Sequence, residues 1–120
     1  MKQGFFNEHW VDANGAPAGG VSSGLGFTVS WQNGPLGRGA DRRDPNGAFV
    51  EDVIAAAVSR IRFYQYGDTP DDAVSGPPAK GKFWCEENAA ALDHLRAALA
   101  ALDSRTKSRE ARAVEGTHAA

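Results

Sequence analysis

The sequence predicts an α+β fold, a small N-terminal antiparallel β-sheet followed by two helices, the second of them long. Three observations carry this. Residues 1 to 47 are rich in glycine and aromatic side chains and are cut by turn dipeptides, the punctuation of short strands. From Phe49 the apolar spacing changes to three and four residues, the period of an amphipathic helix. The last third is rich in alanine and leucine, both strong helix formers.

At 120 residues, 42% of them hydrophobic and 23% charged, the chain suits one globular domain and has no room for two. Within residues 1–120 we expect a β-rich part over 1–47, a first helix over 48–66, a loop over 67–82 and a second helix over 83–115. A domain of this size buries only about two-thirds of the surface its unfolded chain exposes, so a long element in it often needs an oligomeric partner.

Turn signals fall at Asn14-Gly15, Gly19-Gly20, Asn33-Gly34-Pro35 and Asn46-Gly47. The clearest strand is Gly26 to Gln32, where Phe27, Val29 and Trp31 alternate with Thr28, Ser30 and Gln32, so the apolar side chains share one face of the pleat. Phe5 to Val11 is a second strand candidate.

Val50, Val53, Ile54, Ala57, Val58, Ile61 and Tyr64 form the apolar stripe of the first helix. Glu51 and Asp52 support its start, because carboxylates in the first turn complement the positive end of the helix dipole. Tyr66-Gly67 ends it, and the proline-bearing segment from Asp68 to Gly81 reads as an irregular exposed loop.

The second helix is expected from Phe83 to Val114, with Gly116 as its stop, about 45 Å at 1.5 Å per residue. Leu92, Leu95, Leu99 and Leu102 follow 3-4-3 spacing, a coiled-coil-like seam that packs on a partner helix and forms an oligomer interface. Extended both ways, the seam takes in Cys85 and Asn88 before Leu92, and Thr106, Arg109 and Ala113 after Leu102. Polar groups on a helix seam are costly unless satisfied, so Asn88 and Arg109 call for partners from protein or ligand. The commoner alternative has both solvated near frayed ends, and the pattern alone leaves the choice open.

Arg105, Lys107, Arg109 and Arg112 cluster in the last turns, with Arg105 and Arg109 one helical turn apart. Two guanidinium forks at that spacing can clamp a pyrophosphate, and basic residues at a helix C-terminus are also ordinary complements of the dipole. Phe83 and Trp84 open the expected helix, where free backbone N–H groups favour an anion and an aromatic face can stack a purine. The alternative is core packing. Of two adjacent aromatics one normally points inward, so at most one serves as a stacking platform.

Other function classes fit poorly. The net charge of −2 offers no global attraction to polymeric nucleic acid or to an anionic membrane. Cys85 is the single cysteine, so no intrachain disulfide forms and a reducing cytoplasm fits best. Residues 1 to 10 do not read as a signal peptide, and no apolar run approaches the roughly 20 residues of a membrane span. His9, His94 and His118 lack metal-ligand spacing with Cys85 or any carboxylate, so no metal is expected. Gly20-Val21-Ser22-Ser23-Gly24 matches G-x-S-x-G but lacks the strand-to-helix setting of a nucleophile and reads as a flexible loop. Nothing assembles a nucleophile, a base and an orienting group. A non-enzyme without a cofactor is therefore the expectation.

Three stretches together resemble a phage family: Val29 to Pro35 (VSWQNGP), Phe83 to Ala89 (FWCEENA) and Arg105 to His118 (RTKSREARAVEGTH). They are similar to the Thoeris anti-defence and anti-CBASS sponges, small phage proteins that bind cyclic ADP-ribose isomers, and in some members cyclic di- or trinucleotides, without cleaving them. The resemblance spans roughly residues 27 to 118. It implies a ligand pocket with Asn88, Arg105 and Arg109, an aromatic from Phe83 or Trp84, and Thr117 and His118 closing it from a partner subunit. It further implies arginines on the pyrophosphate, the aromatic on the adenine face, and Asn88 on a base or ribose edge. A homo-oligomer, dimer or assembly of dimers, acting in the cytoplasm of the bacterial host follows from the same likeness. Two positions depart from the family pattern: Glu86 stands where a basic residue is common, and Ala113 where glycine is usual. For members with a second site for cyclic oligonucleotides, Arg60 and Arg62 are the weak counterparts here. The competing readings are a structural adaptor that assembles through its long helix, and a phosphodiesterase-like enzyme, for which base and metal are lacking.

Overall fold

The computed structural model describes residues 4–37, 39–68 and 78–111. Its elements are β1 (Phe6–Val11), β2 (Pro17–Gly24), β3 (Phe27–Trp31), a short 3-10 turn (Gly39–Asp41), α1 (Val50–Tyr66) and α2 (Glu86–Ala111). The expected α+β class and the long C-terminal helix are both present. Two compact units divide the chain: Met1–Val50 with Arg105–Ala120, and Glu51–Ser104.

The first unit holds a three-stranded antiparallel meander in the order β1-β2-β3. Asp12 closes the first hairpin: its Oδ1 accepts the N–H groups of Asn14 and Ala16, while its own N–H donates to the Ala16 carbonyl. A short carboxylate of this kind mimics a backbone turn. The second hairpin turns on Leu25-Gly26 with Gly26 at φ 73°, a left-handed conformation that glycine adopts without a Cβ clash.

Sequence reading placed a turn at Gly19-Gly20 and a flexible loop over Gly20 to Gly24. Both expectations are corrected, because these residues lie inside β2. Gly19, Gly20 and Ser22 are buried there. Gly20 pairs with His9 on one side and Trp31 on the other, and a Cβ on it would run into the Glu8 carbonyl oxygen. The glycines therefore serve close strand approach. Register places Phe27, Val29 and Trp31 opposite Gly24, Ser22 and Gly20, so the predicted alternation on β3 is present and its large side chains share a face with a floor of small ones. Ser22 accepts a 2.9 Å hydrogen bond from the Trp31 indole, which satisfies a buried hydroxyl and a half-buried N–H together.

Beyond β3, the stretch Gln32 to Gly47 folds back on itself. The Ala48 N–H donates to the Ser30 carbonyl and the Gln32 N–H to the Ala48 carbonyl, a parallel bridge beside Trp31. Gln32 Oε1 accepts from the Asn46 and Gly47 N–H groups at 2.8 and 3.2 Å, and Asn46 pairs with both backbone groups of Asn33. Much of VSWQNGP is thus explained by backbone closure, with amide side chains standing in for a missing strand.

The second unit carries most of α1 and α2. Along α1, Val53, Ile54, Ala57, Val58 and Ile61 of the expected stripe are half-buried, whereas Val50 and Tyr64 are exposed. On α2 the expected seam is the shielded row: Cys85, Asn88, Leu95, Leu99, Leu102, Thr106 and Arg109 are half-buried and Leu92 is buried. Among the described residues Leu92 is the one fully buried apolar side chain. The helix starts at Glu86, so the expectation that Phe83 and Trp84 open it is corrected; both precede it. Its described part ends at Ala111, and the predicted stop at Gly116, with Ala113, Thr117 and His118, lies outside the described residues. Residues 69–77 of the predicted loop do too.

Candidate ligand-binding site

The site begins with Gln65, near the end of α1. Its side chain is wholly buried, and burying an amide is costly unless both of its ends are paired. Oε1 accepts the Cys85 N–H at 3.0 Å and Nε2 donates to the Cys85 carbonyl at 3.1 Å. The Gln65 carbonyl in turn accepts the Gly81 N–H at 2.7 Å. One residue thus holds both ends of the turn Gly81–Cys85 that carries Phe83 and Trp84.

Cys85 then caps α2. Its sulfur accepts the Asn88 N–H at 3.4 Å and its carbonyl the Ala89 N–H at 3.2 Å, the pattern of an N-cap residue. Glu86 and Glu87 fill the first turn and answer the dipole from within the chain. The sequence had pointed to this terminus as anion-favouring; the two carboxylates and the cysteine cap leave it poorly suited to that. Positive charge in this region comes instead from side chains.

The two adjacent aromatics part as expected. Trp84 is half-buried beneath Lys80, whose Nζ stands 3.9 Å from the ring centroid. Phe83 is 70% exposed, with Lys82 Nζ 5.8 Å from its ring. Phe83 is thus the platform candidate, and Trp84 packs.

On α1 a groove of about 480 Å³ is lined by Ala56, Ser59, Arg60, Arg62, Phe63 and Gly67, with Asp68 at its end. The Arg60 guanidinium lies 5.3 Å from the Phe63 ring and 5.0 Å from the Tyr64 ring, and its Nε donates to the Tyr64 hydroxyl at 3.1 Å. Arg62 stands 5.6 Å from the Tyr66 ring. Cations held on aromatic faces keep both a charge and a flat surface ready. Gln65, Lys80 and Lys82 carry no periodic signal in the sequence: Gln65 stands between two tyrosines, and the lysines follow a proline-rich stretch.

Asn88 is half-buried on the seam, Arg105 is exposed, and Arg109 is half-buried with its Nε shielded from solvent. Arg105 and Arg109 therefore differ in environment although one helical turn separates them. Asn88 and Arg105 sit on one helix, about 25 Å apart at 1.5 Å per residue. Among the described residues no group of three or more His, Cys, Asp or Glu is placed to hold a metal, and no helix is long and apolar enough to cross a membrane.

No family model matches the chain. Over 91 residues, 76% of its length, it is 36% identical to the curated protein "Thoeris anti-defense 1" of Bacillus phage SBSphiJ7. The aligned stretch covers 51% of that protein, so the chain spans about half the length of the curated relative it matches.

Proposed function

The chain belongs to the phage Thoeris anti-defence family, and we propose that it serves phage anti-defence by binding a cyclic ADP-ribose-type immune signal and holding it undegraded, in the cytoplasm of the bacterial host. No catalysis and no cofactor enter this reading. The observation that carries it is the turn Gly81–Cys85, pinned at both ends by Gln65 and presenting Phe83 to solvent with lysines alongside. A ring for a purine and cations for a diphosphate are the two requirements of such a ligand, and a turn held rigid before binding loses little entropy on capture.

Phe83 then takes the adenine face, Arg105 and Arg109 the pyrophosphate, and Asn88 a base or ribose edge. Thr117 and His118 keep their assignment as closing residues from a second subunit. Asn88 and Arg105 are too far apart along one helix to touch the same small ligand. Two copies packed antiparallel on the Leu92–Leu102 seam bring opposite helix ends together, so the pocket belongs to a homodimer or an assembly of dimers. Leu95, Leu99 and Leu102 are only half-buried by their own chain and so leave apolar surface for that packing, whereas Leu92 is already covered.

The α1 groove favours a second ligand class. Arg60 and Arg62 beside Phe63 offer charge and stacking to a cyclic di- or trinucleotide.

Isothermal titration with cyclic ADP-ribose isomers and a panel of cyclic di- and trinucleotides tests the reading, followed by heat denaturation and chromatography of what is released. Tight binding and intact release support sequestration. Cleaved product points to an enzyme, and silence across the panel leaves a structural adaptor, for which charge reversal at Arg105 and Arg109 is harmless.

A further inference from the structure

Lys80 and Lys82 stand in the same short segment, each beside an aromatic ring, yet their surroundings differ. Lys80 Nζ lies 3.9 Å from the centroid of a half-buried ring, Trp84, well inside the range where an ammonium is attracted to the quadrupole of an indole, the strongest of the aromatic partners. Lys82 Nζ lies 5.8 Å from the centroid of Phe83, at the outer limit of that attraction and on a ring that is 70% exposed. Lys80 is therefore committed to the fold, and Lys82 is held by little.

The backbone under Lys82 is firmly placed. Gly81 before it and Cys85 after it are both hydrogen-bonded to Gln65, so the side chain rises from a fixed base while its ammonium can shift. Glu86 and Glu87 open the helix that follows. These carboxylates follow Phe83 by three and four residues, and Lys80 and Lys82 are the basic residues that flank Gly81. With Lys80 seated on Trp84, Lys82 remains to offset them.

We infer that Lys82 is a ligand contact: its ammonium leaves the edge of the Phe83 ring and pairs with a phosphate of a purine diphosphate-type ligand whose base stacks on that ring. This deepens the proposed function and rests on it. Stacking and charge neutralisation then come from adjacent residues of one pinned turn, additional to the arginines of α2. Lys80 acts only through the seating of Trp84.

The test is isothermal titration of the full chain, wild type and the variants Lys82→Gln, Lys82→Arg and Lys80→Gln, with the cyclic ADP-ribose isomers and cyclic di- and trinucleotides at several salt concentrations. Lys82→Gln is expected to weaken binding about three- to tenfold, the loss of one charge-assisted contact, and to flatten its salt dependence. Lys82→Arg keeps affinity within about threefold because the charge is retained. Lys80→Gln leaves affinity within about twofold and lowers the melting temperature. If the wild type binds but Lys82→Gln matches it in affinity and salt slope, or Lys80→Gln loses as much, the inference is overturned and sequestration stands. A wild type that binds nothing in the panel overturns the sequestration reading, and this inference with it. All three substitutions are at exposed positions, and an unchanged far-UV spectrum confirms folding.

Discussion

The side-chain amide of Gln65 pairs with the backbone of Cys85 as one strand residue pairs with another, accepting its N–H at 3.0 Å and donating to its carbonyl at 3.1 Å. This contact joins the end of α1 to the residue that caps α2. It fixes where α2 begins: with both backbone groups of Cys85 engaged by Gln65, helical geometry starts one residue later, at Glu86.

Gln65→Leu keeps the side-chain volume and removes both hydrogen bonds, leaving the half-buried Cys85 N–H without its acceptor and the Cys85 carbonyl with the Ala89 N–H alone. It is expected to destabilise the protein by about 2–4 kcal/mol, read as a lower urea midpoint. A midpoint unchanged from wild type contradicts the role given to this contact.

Cys85→Ser tests the cap from the other side. A hydroxyl oxygen accepts the Asn88 N–H better than sulfur does, so stability is expected to hold or to rise by up to about 1 kcal/mol, and helical content with it. A fall in thermal melting would mean that the thiol contributes by packing and not by capping.

Gly20→Ala places a methyl against the Glu8 carbonyl between paired strands, where neither strand can yield without losing ladder bonds. We expect a cost of about 2 kcal/mol or more. Gly26→Ala, in the open turn at φ 73°, costs only its backbone strain, about 1–2 kcal/mol. Chemical denaturation ranks the two, and the reverse order would place β1 and β2 incorrectly.

Ser22→Ala leaves the Trp31 indole N–H without its acceptor and is expected to cost about 1 kcal/mol. In a Trp31→Phe background the same change should cost almost nothing, so a double-mutant cycle isolates the bond. Additive effects would show that the two side chains act independently.

Arg105→Ala and Arg109→Ala address function. Each removes a guanidinium proposed to hold pyrophosphate and is expected to weaken capture about tenfold or more with the far-UV spectrum unchanged. Capture assays on the purified variants decide it: a double variant that still sequesters the ligand removes these arginines from the site.

The α2 seam was legible in the sequence because helical periodicity is a one-dimensional signal. Leu92 to Leu102, with Asn88 and Arg109 beyond, are spaced as one row, and that row is the shielded one. The alternation of Phe27, Val29 and Trp31 was legible for the same reason. Strand β2 was not: its glycines read as turns, since a glycine that permits a turn and one that permits close strand approach are the same letter until the neighbouring strand is in place.

The ends of the fold show the same division. Composition and period alone determined the α+β class, the number of helices and the face that α2 shields, because each depends on residues near in the chain. Tertiary structure alone decided that Gln65 is the buried anchor, that Phe83 faces water while Trp84 lies under Lys80, and that α2 begins at Glu86. Each of these depends on which polar group meets a partner across the loop between the helices, and a hydrogen bond of about 3 Å leaves no periodic trace in the sequence that makes it.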